Sequence, residues 1–165
     1  MSEYGTSCPP YYSLTGEGQA VWFLNTRLIV KATSEATGGA LSLLESLVAP
    51  GFSPPWHIHH REDEIMYVLE GEVLFKCGEN EVFQAGPGSF VFLPRGIPHS
   101  FKNNSATPAR WLTLATPAGL EKFFIEAGTP ALDAGLRPQP LDPQKLAMSG
   151  AQYGQEILGP SPFWK

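Results

Sequence analysis

His57 and His59 are the first residues of this chain that could do chemistry together. One residue separates them, and side chains two positions apart on a strand leave by the same face. Two imidazoles can therefore meet at one point. Glu64 follows five residues after His59, opening the apolar run Glu64–Leu69, and adds a carboxylate. His99, the last of four histidines, lies in a second stretch of similar character. Folded back onto the first stretch, it completes a set of three His and one Glu. Imidazole and carboxylate donors without thiolate suit one divalent transition metal ion: Fe, Mn, Ni, Co, Cu or Zn. The donor types do not choose among these. The plainer reading is buried histidines bonded to backbone, which suits one histidine better than three in register with a glutamate. His60 adjoins His59 and should point to the opposite face, at the surface or behind the ligands. Arg61, Glu62 and Asp63 read most simply as a solvated turn, the second choice being a carboxylate that orients an imidazole from behind.

Convergence of these residues needs short strands, and the chain is punctuated for them by 17 glycines and 16 prolines. Val21–Leu24 and Leu28–Lys31 read as strands around Asn25-Thr26. Ala40–Ala49 has leucines that could suit a helix, but the stop at Pro50-Gly51 and the β pattern downstream favour a strand. Trp56–His59 and Glu64–Leu69 are strands. Glu72–Cys77 and Glu81–Gln84 form a hairpin across Gly78-Glu79-Asn80. Ser89–Leu93, Pro98–Lys102 and Arg110–Ala115 complete a series that recurs every eight to ten residues, the rhythm of a β-sandwich or barrel. Glu64, opening an antiparallel strand, can face back toward His57 and His59. Met66 and Val68 share parity with Glu64, and Phe101 with His99, so these three are expected to wall a pocket. After Thr116-Pro117 the pattern turns helical. Thr116 reads as an N-cap with Pro at the first helical position, and the helix runs over about 117–127. Asp142-Pro143 starts a second helix to about Gly150. The tail Tyr153–Lys165 is apolar enough to dock.

Length and charge narrow the class. With 165 residues the chain reads as a single domain, a core of about 20–116 with a C-terminal helical extension and tail over about 117–165. A net charge of −5 without a Lys/Arg cluster argues against nucleic acid and anionic membranes. No leader pattern opens the chain and no apolar run has membrane-spanning length. Two cysteines, Cys8 and Cys77, make neither a disulfide framework nor a CxxC pair. They read as free thiols of a reducing, cytoplasmic protein, with Cys8 in a mobile tail.

The histidine stretches resemble the two motifs of the cupin superfamily. Gly51, His57, His59, Glu64 and Gly71 fill the first motif, and Gly88, Pro94, Gly96, His99 and Asn103 fill the second. The resemblance implies an all-β, double-stranded β-helix (jelly-roll, cupin) barrel. It also implies a metal held by His57, His59, Glu64 and His99. HIHHREDEIMYVLEGEV, FVFLPRGIPHSFKN and QYGQEILGP look like single-domain cupins similar to quercetin 2,3-dioxygenase. That likeness implies a metal-dependent dioxygenase acting on a flavonol or similar enol-bearing aromatic, with dioxygen as co-substrate. Glu64 would be both ligand and the base that takes the substrate hydroxyl proton. Two other classes stay open: a non-catalytic metal-binding cupin that holds a small ligand, and a metal-dependent isomerase or lyase. The latter should show inward basic residues, for which only Arg110 and Lys76 are candidates. A homodimer through residues 20–50 is expected from the apolar outer face at Ile65, Tyr67 and Leu69.

Overall fold

A computed structural model describes residues 8–164. In chain order the strands are β1 (Gln19–Phe23), β2 (Thr26–Ala32), β3 (Ser42–Val48), β4 (Trp56–His59), β5 (Asp63–Glu70), β6 (Val73–Cys77), β7 (Phe83–Ala85), β8 (Phe90–Leu93), β9 (His99–Asn103) and β10 (Ala109–Thr116). Helix α1 (Leu120–Ala127), β11 (Thr129–Pro130), helix α2 (Pro143–Gln152) and β12 (Gln155–Gly159) follow. Strict alternation builds them: β3 and β10 each bury every second residue. Ser42, Leu44, Ser46 and Val48 face inward from one, and Ala109, Trp111, Thr113 and Ala115 from the other.

All strand pairs are antiparallel and form two sheets. The larger runs β11-β1-β2-β3-β10-β5-β8 and the smaller β12-β4-β9-β6-β7. The molecule is an all-β jelly roll with two short helices. Among the described residues the strand pairing makes two sheets rather than one closed barrel. Two apolar clusters fill it. One joins Val48, Met66, Val68, Phe75, Leu93 and Trp111; the other joins Val21, Leu28, Leu44, Leu120, Phe123 and Leu146, bringing both helices onto the sheet. No helix among the described residues is long and apolar enough to cross a membrane.

The strand reading of Ala40–Ala49 holds, and Asp142 caps α2, its carboxylate accepting from the Gln144 and Lys145 amides at 3.1 Å. The start of α1 differs from expectation. Thr116 is still in β10, paired with Asp63, and its hydroxyl donates to the Ala40 carbonyl, so it cannot cap a helix. The helix begins at Leu120 behind Gly119, whose amide donates to the buried Glu121 carboxylate at 2.8 Å. The docked tail contains an unexpected strand, β12, which extends the smaller sheet beside β4. Cys8 is tied down: its thiol donates to the Ala36 carbonyl at 3.0 Å.

Gly71 shows how the first motif shapes the fold. It turns β5 into β6 with φ of +86°, and a Cβ there would lie 2.7 Å from the Ala109 Cβ of β10. Both the left-handed backbone and the close approach demand glycine. Gly71→Ala should lower unfolding stability by about 1–3 kcal/mol, read as a shifted urea midpoint at unchanged slope.

Candidate metal centre

The two sheets meet at the four residues. His57 on β4 pairs directly with His99 on β9 in the smaller sheet. Glu64 stands on β5 in the larger sheet, between Ala115 of β10 and Leu93 of β8. One donor atom from each of His57, His59, Glu64 and His99 lies within 4.8 Å of all the others. Glu64 Oε2 is 3.0 Å from His99 Nε2 and 3.8 Å from His59 Nε2. His59, Glu64 and His99 are buried, while His57 keeps some exposure where it lines a cavity.

The outer ring nitrogens decide what the inner ones offer. His57 Nδ1 lies 2.8 Å from the Pro55 carbonyl, and His99 Nδ1 3.1 Å from the Ile97 carbonyl. Carbonyls only accept, so both Nδ1 atoms carry the hydrogen and both Nε2 atoms present lone pairs inward. His99 Nε2 then meets the Glu64 carboxylate as one acceptor against another, unless a proton or a cation stands between them. Three neutral imidazoles and one carboxylate are a donor set that a divalent transition ion satisfies. The residues fit such an ion.

A turn read as solvated supplies the third outer partner. Glu62 is 3% exposed and its Oε1 accepts from His59 Nδ1 at 2.6 Å. The reading failed because the chain is pinned on both sides. Asp63 accepts from the Arg95 backbone amide at 2.9 Å and from its guanidinium at 2.9 and 3.1 Å. On the other side, the Gly96 amide donates to the His59 carbonyl and the His60 amide to the Gly154 carbonyl, both at 2.8 Å. Glu62 has nowhere to turn but inward. A usable signal was present: a ligating imidazole usually donates its second N–H to a carboxylate, carbonyl or water, and Glu62 lies three residues from His59. His60 falls as expected on the outer face, where it pairs with Glu156.

Burial and neighbours set the charges. Burial is the main cause holding His57 down to about 3, with the other two imidazoles adding to it, so it stays neutral. Burial alone would raise Glu64, but in the metal-free site a proton on His99 Nε2, donated to the carboxylate, and the positive charge of protonated histidines bring it to about 2. For His59, burial opposes protonation, yet Glu62 and Glu64 outweigh it and raise the imidazole.

Met66 and Phe101 line the cavity that opens over His57, His59 and Glu64. Val68 does not. It lies one inward position further along β5, in the packed core with Trp111 and Phe75. Arg110 is on the outer face with Glu45 and Glu70, and Lys76 reaches the Asn80 carbonyl, so neither candidate basic group enters the cavity.

A family profile described as a cupin domain matches residues 44–115. That stretch runs through β3 to the end of the inward face of β10 and holds all four residues. Residues 44–115 are a cupin domain. An uncharacterized protein of Methanocaldococcus jannaschii is 33% identical over 76 residues, 46% of this chain and 60% of that protein. Quercetin 2,3-dioxygenase of Bacillus subtilis is 25% identical over 130 residues, 79% of this chain and 38% of that protein. The chain thus spans less than two thirds of the length of these curated relatives. An RmlC-like cupin from Shewanella frigidimarina shares the fold, with a TM-score of 0.59 at 16% identity, over 69% of this chain and 96% of the other.

Two measurements follow for the cupin site. Glu62→Gln should weaken metal binding about 10–100-fold, read by competition with a chromophoric chelator. In chelator-stripped protein, unfolded His57 takes up its proton near 6.5 and folded His57 only near 3. Stability from this group is whole above 6.5 and falls as pH drops below it. His59, being raised, contributes in the opposite sense above 6.5, and Glu64 only below 4.5. Between 6.5 and 4.5 the slope of melting temperature against pH should therefore flatten in His57→Gln.

Proposed function

We propose that this cupin is a metal-dependent dioxygenase of the quercetinase type, acting on a flavonol or a similar enol-bearing aromatic. The observation that carries the reading is the cavity over the donor set. It is a concave space walled by side chains from both sheets and both helices, with His57, His59 and Glu64 among its lining. Its walls are Leu44, Met66, Phe101, Trp111, Phe123 and Ile157 among others, and no Lys or Arg among the described residues contributes to them. Such a surface favours a flat apolar substrate over a hydroxylated acid, which would need a basic partner. The 130-residue similarity to a quercetin 2,3-dioxygenase, reaching beyond the cupin domain, points the same way.

His57, His59, Glu64 and His99 are the proposed ligands of one divalent transition ion. A bound ion would supply Lewis acidity toward a substrate oxygen and an electron partner for dioxygen. The chain's own part is positioning and proton transfer. Glu64, ionised and at the cavity floor, accepts the proton of the substrate hydroxyl. The apolar walls hold the aromatic rings and exclude water. The backbone carbonyls behind His57 and His99, and Glu62 behind His59, keep the imidazoles oriented.

Metal-loaded protein should bleach quercetin in air and leave it unchanged under nitrogen, followed by the flavonol absorbance together with oxygen uptake. Absence of oxygen-dependent bleaching sinks this substrate class. Glu64→Gln should cut turnover by about 10²–10⁴-fold, the span of a lost general base. The homodimer through residues 20–50 belongs to the same proposal, and the larger sheet that carries this segment also exposes Tyr67, Phe90 and Phe92. A single-chain mass by sedimentation at micromolar concentration would overturn it.

A further inference from the structure

One wall of the cavity comes from outside the cupin domain. β12 lies beside β4 with Gln155 opposite His59 and Ile157 opposite His57. Both side chains line the cavity, while Glu156 between them turns outward to His60. Gln155 is thus the polar residue that the C-terminal extension sets beside the donor set, among the apolar side chains of Leu146, Phe123, Phe124 and Ile157.

Its amide is not satisfied. Gln155 is 6% exposed, and its Nε2 is buried with no hydrogen-bond partner. A buried amide N–H left unpaired has lost its water without gaining a partner, which costs the free protein stability. Packing alone would be better served by leucine or methionine. The approach of β12 is nevertheless closely built. Gly154, immediately before it, has φ of +79°, and a Cβ there would sit 2.6 Å from the Arg61 side chain. The Gly154 carbonyl accepts from the His60 amide. The tail is anchored beyond it, where the buried Ser161 hydroxyl bonds that of Ser53 and the Trp164 indole N–H donates to the Ser53 carbonyl. The extension holds an unpaired donor at a fixed position beside His59.

We propose that Gln155 is a specificity-determining residue whose side-chain amide donates a hydrogen bond to an acceptor oxygen, a carbonyl or enolate, of the substrate in this cavity. The inference rests on the cavity being the substrate site, as in the dioxygenase reading, but not on turnover. Binding places the acceptor where the orphaned N–H waits, so the ligand relieves a cost that the free protein carries. An apolar ring system without such an oxygen gains nothing there.

The test uses the full chain, metal-loaded, with Gln155→Met, which keeps the length and removes the donor. Gln155→Leu serves as a second variant if the first does not fold. Quercetin is titrated under nitrogen, following the flavonol absorbance, with metal content and melting temperature measured beside it. Affinity should fall about 3- to 100-fold, the range for a lost hydrogen bond to a neutral or charged acceptor. Metal content should be unchanged, and the melting temperature equal to or above that of the parent chain, because a buried unpaired amide has been removed. A merely structural glutamine predicts the reverse, a lower melting temperature at unchanged affinity. Equal affinity in the two proteins, undetectable binding in both included, overturns the assignment, as does clear destabilisation by both variants. If quercetin binds in a Gln155-dependent way but is not bleached in air, the dioxygenase reading fails and this assignment stands.

Discussion

A carboxylate and an imidazole nitrogen face each other at 3.0 Å inside this protein, and both are acceptors once the Ile97 carbonyl has taken the other imidazole hydrogen. That opposition between Glu64 and His99 is the constraint on which the rest depends. Water screens it only weakly, since both side chains are largely buried. Only positive charge at the centre reconciles them, either protons or a cation. The carbonyls of Pro55 and Ile97 and the carboxylate of Glu62 turn the three rings so that their lone pairs answer to the same point. The carboxylates of Glu62 and Glu64 together match the charge of a divalent ion.

Holding that geometry is the work of two sheets that could otherwise slide. Three donors belong to the smaller sheet and one to the larger, so the site records the relative position of the layers. Arg95 joins them. It sits in the turn before β9, yet its side chain bonds Asp63 at the start of β5 and also reaches the Arg61 and Thr116 carbonyls. A one-residue slip in any of these strands would send a ligand to the outer face. The two apolar clusters on either side of the site give the layers their fixed spacing.

The cupin domain supplies the donor set, and the extension supplies the roof. Helices α1 and α2 bring Phe123, Phe124 and Leu146 into the cavity wall, and β12 adds Gln155 and Ile157 beside β4. The four clustered residues and part of the cavity wall therefore come from different parts of the chain. This division fits the way jelly rolls host many reactions on one core.

Most of the core was legible in the sequence because its signals are local. The rhythm of short strands gave away β5 and β10, the stop at Pro50-Gly51 and the pattern downstream gave β3, and the spacing of His57, His59, Glu64 and His99 put these four forward as candidate ligands before any coordinates. The capping aspartate of α2 was equally plain. What escaped depends on contacts distant in the chain. Glu62 looked like part of a charged turn, and only the Asp63–Arg95 clamp and the docking of Gly154 push it inward. Thr116 looked like a helix cap until pairing with Asp63 claimed it for β10. Val68 had the right parity for the cavity wall but lies too far along its strand. Gln155 had no local signal as a site residue, since nothing near it in sequence says that β12 will lie against His59. By itself the sequence determined the fold class and the four candidate ligands, because periodicity and spacing are properties of short segments. The tertiary structure alone decided the orienting carboxylate, the shape of the cavity and the unpaired amide in its wall, because each exists only where segments far apart in the chain come into contact.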